Sequence, residues 1–540
     1  MLESAQMVST SRWQPRRRLL QAAAAMLLLA ACAPATPPPP APATLPEPPK
    51  RVRIVHTNDF HGRLLPQSPR QGRALGGSAV LAAHFDSARV RFNGPTLVLS
   101  GGDDYQGTAI SNLSWGRATV AVQNAKRYDA AAFGNHEFDW GIDTLRARLA
   151  EERFPRIGAN IYRTGTREHP EWMRPWTMIE REGVRIGVIG ITTTETPQIV
   201  NPQHVAALEF GAPVEAIDRY AREARAAGAD FVVVTMHEGA ECEDPGSSPE
   251  EESRGCRGAM LEIAVGLSER VDLIVGGHTH LRVLTTAGGI PVVENSPFSV
   301  NYSITDLEKR GDSTVVLHRA VHTSWADEVD ADTMVARVVG EWEARVSEIA
   351  ERVLVQLAQP LEWPESRIGE HPIGNLIADA QRASTGAQVS LVNNGGIRRS
   401  MPAGPITYGL LYELQPFQND MVTLQTTGAV LRTALENAID AEGRITAHVS
   451  GMTVRYDPRA PVGSRLREIR LDGGRVLRDT DSITIGTTEF LATGGDRYTM
   501  LQEARKSRTG MVDLDALTTY LESLPQPIQP PGVARWVAVR

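Results

Sequence analysis

Arg51-Val52-Arg53-Ile54-Val55-His56-Thr57-Asn58-Asp59-Phe60-His61-Gly62 is an apolar run that breaks into a polar turn. The run reads as a strand, and the turn carries potential metal ligands. The same pattern recurs four times. Thr96–Leu99 leads into Gly101-Gly102-Asp103, and Ala130–Phe133 into Gly134-Asn135-His136-Glu137-Phe138-Asp139. Phe231–Met236 leads into His237-Glu238-Gly239, and Asp272–Val275 into Gly276-Gly277-His278-Thr279-His280.

Val184–Ile191 is a further strand-like run, and Ala79–Arg89, Ser114–Arg127 and Val214–Ala227 read as helices between the strands. Such alternation predicts an α/β layered domain from Arg51 to about Thr323. In open α/β sheets, sites gather beyond the carboxyl ends of the strands. Asp59, His61, Asp103, Asn135, His237, His278 and His280 are therefore expected to converge. That donor set is too rich for one ion and suits two first-row divalent metals such as zinc or manganese. His136 adjoins a ligand, so it can reach a substrate without binding metal. Asp139 follows at the spacing that puts both on one helical face, where it could orient the imidazole. His84, His169, His204, His318, His322, His371 and His448 lack such a setting and read as structural or exposed.

Ala331–Arg352 carries Met334, Val338, Trp342, Val346 and Ile349 at helical spacing and reads as a connector. A second α+β pattern follows. Helices are expected near Gly374–Thr385 and Leu514–Leu524, and strands near Val389–Val392, Val422–Thr426 and Ser482–Thr487. This half holds Glu365-Ser366-Arg367, Asn393-Asn394-Gly395-Gly396-Ile397-Arg398, Gln415-Pro416-Phe417-Gln418-Asn419 and Phe490-Leu491-Ala492-Thr493-Gly494-Gly495-Asp496. An Arg presented by a Gly-Gly turn suits phosphate, because the guanidinium fork binds two oxygens. Phe417 and Phe490 lie in loops, where aromatic faces could stack on a flat base. Asn419 and Asp496 could meet ribose hydroxyls and base edges.

The forms HTNDFHG, SGGD, GNHEFD and GGHTH, with the C-terminal blocks, resemble those of the 5′-nucleotidase family of calcineurin-like metallophosphoesterases, from Arg51 onward. The resemblance implies an N-terminal four-layer β-sandwich flanked by helices and a C-terminal α+β substrate-binding domain. It implies that Asp59, His61, Asp103 and His280 bind one metal. Asp103, Asn135, His237 and His278 would bind the other, with Asp103 shared. His136 and Asp139 would be catalytic, and Arg367 and Arg398 would hold phosphate. Phe417 and Phe490 would stack on the base, and Asn419 and Asp496 would contact base and ribose. Trp363 departs from the pattern, standing where some members place another Arg.

The activity so implied is release of phosphate from nucleoside 5′-monophosphates through a metal-activated water. The alternatives are a UDP-sugar or dinucleotide pyrophosphatase, a more distant thiosulfate-ester hydrolase, and a non-catalytic nucleotide-binding surface protein. A net charge of −8 argues against a nucleic acid polymer as partner. A monomer is expected.

Arg12, Arg16, Arg17 and Arg18 precede an apolar run from Leu19 to Ala31 that ends before Cys32. That reads as a bacterial lipoprotein signal over residues 1–31, with a lipid on Cys32, and it also loosely fits a twin-arginine signal. A Pro/Ala-rich tether would follow over 32–50. The expected units are then 51–325, a connecting helix at 326–352, and 353–540. Export to a periplasmic or surface location makes a Cys242–Cys256 disulfide the expected pairing.

Overall fold

The computed structural model describes residues 49–539 apart from 71 and 365. The expected signal, Cys32 and nearly all of the expected tether lie outside the described residues, as does Glu365.

Two six-stranded sheets make the N-terminal half. The first runs Ser313–Thr323, Asn301–Arg310, Arg51–Thr57, Thr96–Ser100, Ala130–Ala132, Arg156–Ile157. The second runs Val283–Ala287, Ile290–Glu294, Leu273–Val275, Phe231–His237, Val184–Thr192, Trp176–Arg181. Strand alternation explains how they meet. Val52, Ile54, Leu97 and Leu99 point to one face and pack with Ile186, Val188, Phe231 and Val233 from the other sheet. Val55 and Val98 point the opposite way, onto Leu81 and Phe85 of the Ser78–Val90 helix. Val232 and Val234 meet Ile217 and Tyr220 of the Pro213–Ala226 helix. The layers are thus helix, sheet, sheet, helix, as expected. Arg51–Thr57, Thr96–Ser100 and Ala130–Ala132 are mutually parallel neighbours, as are Val184–Thr192, Phe231–His237 and Leu273–Val275. Parallel pairing brings their carboxyl ends to a common edge.

One helical expectation needs trimming: the helix expected over Ser114–Arg127 spans Arg117–Lys126, and a separate short helix at Ala109–Leu113 precedes it. Trp115 and Gly116 between them have φ of 52° and 79°, which an α-helix cannot carry through. The long helix spans Thr333–Ala350, with the Asp332 side chain accepting Val335 N–H at 2.8 Å as its N-cap. Its buried stripe is Val335, Val339 and Val346, while Met334 and Ile349 are exposed. That stripe packs on Phe60, Ile110 and Val122 of the N-terminal half, while Ala350 at the helix end lies against Gly409 of the C-terminal half.

The C-terminal half centres on a mixed sheet in the order Ala447–Ser450, Val389–Asn393, Ser482–Thr488, Asp420–Thr427, Arg505–Val512. Helices Pro372–Thr385 and Asp513–Ser523 share a buried cluster with Val392. The Gly428–Asn437 helix belongs to the larger cluster, with Leu391 and Leu424. No described helix is long and apolar enough to cross a membrane.

Candidate active site

The five polar strand ends meet at one edge of the N-terminal half. Asp59, His61, Asp103, His278 and His280 all have positive φ, between 49° and 85°. Non-glycine residues rarely occupy that region, and such strain concentrates where side chains must be aimed precisely. Gly134 shows how tightly the loops approach, since a Cβ there would sit 2.1 Å from Asp103 Oδ1.

His280 Nε2 lies 3.1 Å from Asp59 Oδ1, and His61 Nε2 lies 3.1 Å from His280 Nε2. His237 Nε2 lies 3.1 Å from Asp103 Oδ2 and 3.2 Å from Asn135 Oδ1 and from His278 Nδ1. His61 Nε2 is 3.8 Å from Asp103 Oδ2, which links the two groups. All seven residues expected to ligate are therefore together.

Backbone carbonyls fix the rings. His61 Nδ1–H donates to Gln106 O at 2.7 Å, and His237 Nδ1–H to Gly101 O at 2.8 Å, leaving each Nε2 facing the cluster. This is the tautomer control that metal-binding histidines use. Asp59 Oδ2 accepts from Asn58 Nδ2 and His278 N at 2.7 and 2.9 Å, while its buried Oδ1 has beside it only the His280 ring nitrogen at 3.1 Å. A buried carboxylate oxygen facing imidazole nitrogens fits a divalent cation.

The charge state agrees. Burial opposes charge on Asp59 and Asp103, but the surrounding histidines outweigh it and hold both carboxyls below their usual range. Burial lowers His61, and pushes His278 down to about 4. Metal binding needs these forms, ionised carboxylate and neutral imidazole. His237 differs: burial opposes its charge, yet Asp103 raises it to about 10. Positive charge is favoured at that point.

A cavity of about 590 Å³ opens beside this cluster, between the two halves. His136, Asp139, Asp103, Asn135, His278 and His280 line one side, and Arg367, Arg398, Phe417, Asn419, Phe490 and Asp496 the other. His136 Nδ1 meets Asp139 Oδ2 at 2.6 Å, and its backbone N–H donates to Asp103 Oδ1 at 2.8 Å. Burial disfavours its imidazolium, but Asp139 and Asp103 outweigh burial and raise its pKa. Arg367 is pushed down to about 9, first by the charge of Arg398 and then by burial. Burial lowers Arg398 while Asp103, Asp139, Asp59 and Asp496 pull the other way. A guanidinium depressed by its neighbour's charge would be relieved by a dianion such as a phosphoryl group.

The aromatic pair is less symmetrical than a simple sandwich. Phe417 stacks on His136 at 5.8 Å and 26°, with Arg398 on its face. Phe490 rests on Gly495 and packs against the C-terminal core. Asn419 Nδ2 donates to Asp513 Oδ2 at 3.3 Å, and Asp496 Oδ2 accepts from Asn393 Nδ2 at 2.5 Å. Trp363 lies in the core beside His371 and His448, outside the cavity wall.

His204, read as structural or exposed, lines the cavity, and its buried Nδ1 has no partner. Its signal was weak because it sits in an irregular stretch after a one-turn helix. Sequence reading also missed Asp513, Asn58, Glu137 and Glu294. Glu294 had a usable signal, for it ends the apolar Ile290–Glu294 strand just as the ligands end theirs.

The calcineurin-like phosphoesterase family model matches residues 52–282, and the model of the 5′-nucleotidase C-terminal domain matches residues 349–503. Snake venom 5′-nucleotidase from Naja atra is 28% identical over 88% of this chain and 96% of its own. Protein UshA from Escherichia coli is 27% identical over 90% of this chain and 94% of its own. Endonuclease YhcR from Bacillus subtilis is 25% identical over 90% of this chain, which spans only 41% of that protein. The crystal structure of a 5′-nucleotidase precursor from Thermus thermophilus superposes with a TM-score of 0.77 at 27% identity, covering 91% of this chain and 99% of that one.

Proposed function

We propose that this chain, which belongs to the 5′-nucleotidase family of calcineurin-like metallophosphoesterases, releases phosphate from nucleoside 5′-monophosphates. The observation that carries the substrate is one cavity in which Arg367 and Arg398 face His136, with Phe417, Phe490 and Asp496 alongside.

Asp59, His61, Asp103 and His280 would hold one divalent ion, and Asp103, Asn135, His237 and His278 the other. Two such ions, when bound, lower the pKa of a water and offset charge on phosphoryl oxygens. The chain's residues do the rest. Arg367 and Arg398 bind and orient the phosphoryl group. Asp139 engages Nδ1 of His136, so Nε2 points into the cavity and donates to a phosphoryl oxygen as charge builds there. Phe417 and Phe490 hold the base by stacking, Asn419 meets its edge, and Asp496 takes a ribose hydroxyl.

Phosphate release from AMP, GMP, CMP and UMP, by chelator-treated protein with and without added manganese or zinc, tests this reading. Metal-dependent release is expected, and silence toward all four would overturn it. A second reading, pyrophosphatase action on UDP-sugars or dinucleotides, draws support from the cavity wall continuing along Ile199, Asn201 and His204. UDP-glucose and a dinucleotide belong in the same panel.

We assign the setting as exported and lipid-anchored through Cys32. The Cys242–Cys256 disulfide, between paired strands, supports an oxidising compartment. Boundaries at 51–325, 326–352 and 353–540 remain our division of the chain.

A further inference from the structure

Two buried carboxyl groups lie behind the ligand loops and face the backbone. Glu137 Oε2 accepts from Gly134 N at 2.7 Å and Asp103 N at 3.0 Å, and its Oε1 from Asp104 N at 2.7 Å. One carboxylate therefore ties the loop after Thr96–Ser100 to the loop after Ala130–Ala132. Glu294 Oε1 accepts from Thr279 N at 3.1 Å and Thr279 Oγ1 at 2.7 Å, and its Oε2 from Ala240 N at 3.1 Å. It ties the loop after Leu273–Val275 to the loop after Phe231–His237. The remaining strand end is held by Asn58, whose amide exchanges hydrogen bonds with Asn295 N and O at 2.9 and 2.8 Å. Asn295 is the neighbour of Glu294.

We propose that Glu137 and Glu294 are positioning residues that set the spacing within the ligand cluster, each clamping two ligand-bearing loops. Glu137 sets Asp103 against Asn135 and His136, and Glu294 sets His278 and His280 against His237. This rests on the metal-site reading above. The division of labour follows from contacts. His136 N–H donates to Asp103 Oδ1 across the junction that Glu137 ties. Glu294 touches only loops that carry ligands. Glu137 therefore governs both metal retention and the pose of His136, whereas Glu294 governs retention alone.

Replacing either Glu by Gln turns an NH₂ toward backbone N–H donors, so one loop must let go. The test uses full-length Glu137→Gln, Glu294→Gln and Thr279→Val, the last removing one of the three bonds to Glu294. Mn²⁺ titration gives stoichiometry and affinity, AMP hydrolysis gives kcat and KM, and thermal melting of metal-free protein reports the fold. Both Gln variants should bind Mn²⁺ roughly 10–100-fold more weakly, the range for supporting residues around metal ligands. Thr279→Val should weaken it by less. KM for AMP at saturating Mn²⁺ should stay within about twofold in the two Gln variants, because neither Glu lines the cavity. Saturating Mn²⁺ should restore kcat in Glu294→Gln and leave it depressed in Glu137→Gln.

Wild-type Mn²⁺ affinity and kcat in both Gln variants would overturn the proposal. Loss of cooperative melting in metal-free Glu137→Gln would likewise overturn it for Glu137, making that residue a determinant of the fold. If wild-type protein bound no Mn²⁺, the parent reading would fail instead.

Discussion

At the metal edge, Asp59 Oδ2 accepts two hydrogen bonds, His61 and His237 are each fixed by a backbone carbonyl, and five of the seven residues sit at positive φ. Across the cavity, Asn419 is held by a single 3.3 Å side-chain hydrogen bond, and Phe417, on a loop, is placed by the His136 ring and the Arg398 guanidinium without a hydrogen bond of its side chain. The metal edge is over-determined, whereas on the other wall the Phe417 and Asn419 side chains are adjustable even though Arg367 and Asp496 share the positive φ of the metal edge. Substitutions on the first should therefore behave as near all-or-none losses, and those on the second as graded changes in substrate affinity.

The sharpest way to break that contrast is Asp103→Asn. Asp103 lies against His237, His61 and the backbone of His136, so one amide nitrogen disturbs both halves of the cluster. A fall in kcat/KM of roughly a thousandfold or more, about 4 kcal/mol, is expected. It should be accompanied by less bound metal. Full activity with two metals present would remove the bridging role.

His136→Ala should come next. It leaves the backbone seat on Asp103 in place, so metal content should be retained while kcat falls roughly 10²–10⁴-fold, the range for a positioned proton donor. Metal loss in parallel with activity would make His136 a ligand instead. Asp139→Asn should fall between this variant and wild type, because His136 keeps its main-chain contact.

On the adjustable wall, Phe417→Ala and Phe490→Ala should each raise KM for AMP about tenfold, in line with roughly 1–3 kcal/mol for base stacking. Metal content should not change. Hydrolysis of a small aryl phosphate should suffer much less. Phe417 also stacks on His136, so its variant has a second route to damage that Phe490 lacks. Equal losses on AMP and aryl phosphate in both variants would take the pocket away from the nucleobase.

How much of this was legible follows the same divide. Ligands such as Asp59 and His278 stood out because a strand supplies a visible apolar run and the polar residue ends it. Glu294 shared that strand-end signal but not a ligand's chemistry of partners, and Glu137 did not stand out at all, since a backbone N–H donor on another loop leaves no mark in a residue pattern. The long helix showed its period and the middle of its buried face, since Val338, Trp342 and Val346 meet the packed cluster, but not its ends: Met334 and Val335 are equally apolar, and only the packed Phe60–Val122 surface selects Val335. The break at Trp115 was invisible because its αL backbone opposes that residue's own preference. Phe417 and Phe490 were legible as loop aromatics, whereas the stacking of Phe417 on His136 depends on how the two halves pack.

The smallest expected effect lies where the two walls touch at the cavity mouth. Arg497 Nη2 donates to Glu195 Oε1 at 2.7 Å, joining the loop that carries Asp496 to the one-turn helix leading into the cavity-lining Ile199–His204 stretch. Both side chains are largely exposed, so the pair contributes only about 0.2–1 kcal/mol and is screened by salt. Arg497 has φ of 64° and follows Asp496 at 49°, so the residue assigned to ribose and the one spanning the mouth share a strained turn. Arg497→Ala should therefore raise KM for AMP by less than about fivefold at low salt, with kcat and metal content unchanged. The difference from wild type should fade as salt rises to about 0.5 M, where screening acts over a few ångströms. A larger effect that resists salt would mean that the turn itself, rather than the ion pair, orders the substrate wall, and would place that turn with the over-determined metal edge.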